Sequence, residues 1–181
     1  MAGFIPELTT RITTKVNVKN LDDAINHIES DPYLSQCPSI VKTLNEKKTK
    51  LESLETSVSS AVAERLSSNQ EMIISSKHHI TGMMANSVDI SQDGTDYLVG
   101  NTAHSVDGFP YPLAIETGRR AVFPVEKKVL RWFEGGDFSS PVFAKYSSSV
   151  PADPFVKPSI EDTIYDIEEI VRTELQNEGL L

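Results

Sequence analysis

In FPYPLAIETGRR, residues 109–120, a lone carboxylate, Glu116, stands within five residues of a glycine, Gly118, and two guanidiniums, Arg119 and Arg120. A carboxylate serves as general acid or base when a cleft tunes its pKa toward the working pH. Two adjacent arginines act the other way, because positive charge keeps a carboxylate ionised and removes it as a proton donor. Ion pairing suits the same residues, since Arg and carboxylate form a directional fork. Glu116 is therefore expected to pair with an arginine, in its own chain or in a neighbouring copy. Tyr111, Leu113 and Ile115 then alternate as buried positions, and Gly118 allows a sharp turn.

Other chemistry-bearing residues are sparser. Asp107 upstream of Glu126, Lys127 and Lys128 has the look of a magnesium-dependent nuclease, in which acidic residues hold the metal and a lysine helps orient water. The same Glu-Lys-Lys triplet recurs at 46–48 in a segment that reads as helix, so the triplet by itself carries little information. His78 and His79 are adjacent, and neighbours on a helix point about 100° apart, which keeps them from converging on one ion. His27 and His104 stand alone. Cys37, the only cysteine, sits beside Pro38 at a helix entrance and reads as a small buried hydrophobe; a single cysteine forms no intrachain disulfide and no multi-thiolate zinc site. No GxSxG elbow, Walker loop or GxGxxG fingerprint occurs. The residues therefore assign no catalytic, cofactor-binding or metal-binding group, and the expectation is a protein without turnover.

The elements that must position these residues follow from periodicity. Residues 1–20 alternate Ile12, Val16 and Val18 with polar neighbours, as a short strand or extended arm would. LDDAINHIES (21–30) puts Leu21, Ala24, Ile25 and Ile28 on one helical face and stops at Asp31 and Pro32. From 39 to 80, Leu44, Leu51, Leu54, Val58 and Ala61, continued by Leu66, Ile73 and Ile80, predict one long helix or two, with Ser67, Ser68 and Asn69 as the expected interruption. Unbroken, it would reach roughly 60 Å, too long to bury its whole length in its own core. NSVDIS (86–91) and DYLVGN (96–101) predict a hairpin about a turn at 92–94. KVLRWF (128–133) and PVFAKY (141–146) predict a second, with a longer loop. Pro151, Pro154 and Pro158 are expected to hold the backbone extended. Ser159 is then expected to cap a last helix, with Asp162 three residues on, whose face of Ile160, Ile164, Ile167, Val171 and Leu175 covers the sheet.

Charge narrows the partners. The net charge of −9 over 181 residues is uneven: residues 51–100 carry two basic and seven acidic groups, and residues 151–181 two and eight. Gripping DNA phosphates takes clustered Lys and Arg, and no such cluster is visible, which disfavours tight nucleic-acid binding. Apolar runs of only a few residues predict no membrane span.

Four stretches in order, ITGMMANSVDI (80–90), DYLVGN (96–101), YPLAIETGRR (111–120) and PADPFVKPSIEDT (151–163), form a pattern. It resembles the tail-completion, or head-tail joining, proteins of long-tailed bacteriophages and related viruses, also described as minor tail or neck proteins. The resemblance covers about residues 50–175, with Met83 and Met84 where a leucine is usual and Pro112 in place of a common alanine. It implies an α+β fold: a long N-terminal helix, a small antiparallel sheet of about four strands with hairpins, and a C-terminal amphipathic helix packed on the sheet. Residues 1–38 would be an arm with a short helix, and 39–181 the tail-completion-like domain. Tyr111, Glu116, Gly118, Arg119, Arg120, Pro154, Phe155 and Pro158 carry the motif and become candidates for its structural or interface contacts. The resemblance also implies a homo-oligomeric ring, a hexamer or else a dodecamer, in the virion neck between head connector and tail tube or terminator, assembled in the host cytoplasm. DNA would pass through its lumen without specific binding, with acidic helices as a repelling lining; no cofactor, metal or membrane is implied.

Overall fold

The computed structural model describes residues 4–36, 38–77, 82–105, 108–125, 128–133 and 141–181. Cys37, His78, His79, Ile80, Asp107, Glu126 and the expected hairpin loop at 134–140 lie outside the described residues.

The longest element follows from composition. After Pro38, which is tolerated at a helix start, no Gly or Pro interrupts the segment, and a single helix, α2 (Pro38–Lys77), runs its 40 residues unbroken. The break expected at 67–69 does not occur. Ser67 and Asn69 are buried there, and Asn69 Nδ2 donates to Thr163 Oγ1 at 3.0 Å. The polar run is a packing surface rather than a loop. No described residue of α2 before Leu54 is buried. Beside that exposed half runs α1 (Lys19–Ser30), held by Lys48 Nζ to Asp22 Oδ1 at 2.7 Å. α1 ends where expected: Asp31 Oδ1 accepts from the Leu34 and Tyr33 amides, which lower its pKa.

The first hairpin forms close to its expected position. β2 (Val88–Asp93) and β3 (Asp96–Asn101) pair antiparallel, Asp93 opposite Asp96, across Gly94 and Thr95, with Gly94 at φ +66°. β1 (Thr10–Ile12) takes the other edge of β3, giving a three-stranded antiparallel sheet in the order β1-β3-β2. Arg11 fastens this edge to the hairpin turn, reaching Asp93 and Asp96 at 2.8 Å each. The expected single sheet of about four strands is therefore corrected. The N-terminal segment completes the first sheet, and β4 (Leu130–Phe133) with β5 (Pro141–Ala144) makes a separate two-stranded one.

Two clusters form the core. Ala63 and Leu66 of α2 meet Val99 of β3. Further along, Ile74 meets Ile5, Leu8, Met84, Ala85 and Phe155. Thus Ile5 and Leu8, with β1, build residues 5–12 into the core and the sheet.

The C-terminal helix α4 (Val156–Asn177) packs differently from the expectation. It runs antiparallel along α2, as the contacts Asn69–Thr163, Arg65–Asp166 and Lys50–Glu178 show. Its buried positions are Ser159, Thr163 and Ile170, while Ile164 is 58% and Ile167 39% exposed. Ile160 does reach the Ala63, Leu66 and Val99 cluster. α2 already occupies the sheet face, so α4 packs on α2 through small residues, leaving much of its apolar stripe outside.

Candidate functional site

The stretch that carries Glu116 is helical. α3 (Tyr111–Thr117) has Pro112 near its start, where proline's fixed φ suits a first helical turn. Tyr111, Leu113 and Ile115 pack half-buried against the cluster around Phe155. The strand-like alternation expected of them is thus replaced by one short helix whose neighbouring side chains share the core. Burial raises the pKa of the Tyr111 phenol.

Glu116, half-buried, makes no arginine fork within its own chain: among the described residues its carboxylate meets no arginine. Its Oε2 accepts instead from the backbone amides of Phe155 at 2.8 Å and Val156 at 3.1 Å. These are the first amides of α4. A helix leaves its first four N–H groups without intrahelical partners. Here Glu116 takes the first two, and the fourth position is Pro158, which has no N–H. A carboxylate at this end also meets the positive pole of the helix dipole. The residue flanking the helix start is Phe155, whose side chain offers no cap, so the cap comes from another element.

This arrangement corrects two expectations. Ser159 is not the cap: the helix starts three residues earlier, and Ser159 is fully buried with Oγ donating to the Val156 carbonyl at 2.7 Å. Pro158 belongs to the first turn rather than to an extended lead-in. Phe155 is 0% exposed and plugs the core, while Pro154 is exposed.

Gly118 closes the junction. Its φ of 77° and ψ of 170° lie in a region reserved almost wholly for glycine. A Cβ there would stand 2.8 Å from the Ala152 nitrogen and 3.0 Å from the Val150 oxygen. The two chain segments then run together: Asp153 N donates to Ile115 O at 2.9 Å, and Arg119 and Val150 exchange two backbone bonds at 2.8 Å. The Arg119 guanidinium donates to Ser147 Oγ at 2.8 Å, and Arg120 is exposed. Lys77, at the end of α2, pairs with Asp153 at 2.9 Å. The structure therefore joins Tyr111, Glu116, Gly118, Phe155 and Pro158 into one unit. Sequence reasoning missed Ser147, Val150, Ala152 and Asp153; the one signal for a remote cap was a helix start at Phe155 lacking a capping side chain.

Of the nuclease candidates, Lys128 is exposed, and Asp107 and Glu126 are outside the described residues. His104 Nδ1 lies 2.8 Å from the Thr102 carbonyl, and His27 is exposed. Among the described residues no group of three or more His, Cys, Asp or Glu side chains is placed to hold a metal, and no helix is long and apolar enough to cross a membrane. An open groove of about 350 Å³ between α2 and α4 is lined by Glu64, Arg65, Glu169 and Glu174 with Ala61, Ser68, Ile170 and Thr173. Compared with known proteins, the chain matches no family model, no curated protein and no solved structure.

Proposed function

We propose that the chain is a structural protein of a phage virion neck or tail end, assembling as a ring that completes the tail and joins it to the head connector. The ring is a hexamer in this reading, with a dodecamer as the competing number. One observation carries the assembly part. Among the described residues, the first sixteen positions of α2 contain no buried residue, and neither core cluster takes a residue from 119–150. A protein that leaves so much ordered chain outside its own core has surface to give to neighbours. The ordered motifs of the sequence supply the virion part. The use of Glu116 as a helix cap favours a scaffolding role for YPLAIETGRR over proton transfer, since its Oε2 is already engaged by the backbone amides of Phe155 and Val156.

The test has two arms. Electron microscopy of mature particles with the chain labelled should place it at the neck at fixed copy number, and its deletion should leave filled heads and tails unjoined. Absence from finished particles would instead indicate a transient assembly factor. Magnesium-dependent DNA cleavage by the purified chain, abolished by Glu126→Ala, would replace the structural reading with the nuclease one.

A further inference from the structure

Two surfaces of this chain lie outside its core and differ in sign. The first is a two-stranded ribbon. The backbone bridges Arg119–Val150 and Val122–Ser147 and the β4–β5 pairing set the described residues on the two sides of the stretch 119–150 antiparallel to each other. On it Phe123 stacks on Tyr146, ring centres 5.9 Å apart. The two are 63% and 57% exposed, and Val125 is 98% exposed. Val122 and Val129 are exposed as well, and the exposed apolar area of these side chains together is on the order of 400 Å², within the range of the largest patch on a typical monomer. Residues 119–150 carry six basic and three acidic residues.

The second surface is the outer face of α4. Ile164 is 58% and Tyr165 84% exposed. Glu161 and Glu168 lie three and four residues from Ile164, which puts them on the same side of the helix. The helix as a whole has six acidic residues against two basic.

We infer that these are the two halves of one interface: the 119–150 ribbon of one copy packs on the outer face of α4 of the next. This rests on the ring reading and says which surfaces close it. Apolar side chains occur on both faces, and opposite net charge favours this pairing, while ribbon-on-ribbon or α4-on-α4 contact would bring like charges together. Each patch alone is smaller than the roughly 800 Å² per partner of a stable interface, so the charged surroundings must join the contact. Pairing two different surfaces is head-to-tail, and it generates a ring when the rotation closes. A two-stranded ribbon is marginal in water by itself, and docking would also supply the packing that it lacks.

The test uses two substitutions at exposed positions, Val125→Asp on the ribbon and Tyr165→Asp on α4, each checked for wild-type circular dichroism. By analytical ultracentrifugation each variant alone should lose the assembly, with affinity weakened about tenfold or more. An equimolar mixture has one intact ribbon and one intact α4 face, so it should form dimers and stop there. Raised salt should weaken the wild-type assembly. A mixture that stays monomeric, or a wild-type ring that neither substitution alters, overturns the pairing and leaves the ring reading standing. A wild-type chain that stays monomeric at every concentration and is missing from particles overturns both.

Discussion

Replacing Glu116 separates its structural role from any other. In Glu116→Ala, the amides of Phe155 and Val156 lose their acceptor at 2.8 and 3.1 Å. Losing a helix cap costs roughly 0.5–2 kcal/mol, and hydrogen bonds to charged groups are worth about 1.5–3 kcal/mol. Glu116 is only half-buried, and water can partly replace it, so the lower end applies: about 1–2 kcal/mol for Ala. Glu116→Gln keeps an oxygen acceptor but loses the charge at the helix pole and should cost about 1 kcal/mol. At roughly 2–4 °C per kcal/mol for a chain of this size, Ala lowers Tm by about 2–8 °C. Urea denaturation under monomeric conditions gives the stability change. Amide hydrogen exchange should show early opening at Phe155 and Val156 in the Ala variant. If Ala leaves monomer stability within about 0.5 kcal/mol of wild type while abolishing assembly, the carboxylate is an interface group and the capping argument is wrong.

Three other outcomes follow from single positions. Gly118→Ala combines a glycine-only backbone conformation with a Cβ 2.8 Å from the Ala152 nitrogen, and should cost about 2–5 kcal/mol in urea denaturation; a loss under about 1 kcal/mol would mean that the junction relaxes freely. Gln70 is fully buried and neither of its side-chain amide atoms is hydrogen-bonded among the described residues, so Gln70→Met, of similar size and apolar, should raise stability by about 1–3 kcal/mol, read as an increased midpoint with unchanged slope. Arg11 lowers the Asp96 pKa, mainly by hydrogen bonding, from its ordinary 3.8. A carboxyl depressed on folding adds stability that is full above the unfolded value and disappears as pH falls through the folded one. The Tm gap between wild type and Arg11→Gln should therefore be present at neutral pH and close below about pH 4; a gap unchanged in acid would assign Arg11 a role other than this ion pair.

Local sequence alone was enough for α1, for the helical character of α2 though not for its continuity through 67–69, and for both hairpins, because each rests on neighbours a few residues apart. Leu21, Ala24, Ile25 and Ile28 share a face at helical spacing, and the turn between Asp93 and Asp96 has the glycine its backbone requires. Residue type also marked Gly118 as the place where the chain bends, and Phe155 with its flanking prolines as a junction. Choices among distant partners were not legible. β3 had an edge that another strand could fill, and only the folded chain shows Thr10–Ile12 there instead of the second hairpin. α4 had an apolar stripe fit for a sheet, but α2 holds that position, so Ser159 and Thr163 became the buried face. Glu116 had two arginines close by in sequence, yet its carboxylate caps a helix 39 residues away. Periodicity reports which residues share a face; it carries no information about which surface reaches that face first, or which unsatisfied amide stands nearest a carboxylate. Those were settled by tertiary packing, where unpaired helix amides and exposed apolar area compete for the same few partners.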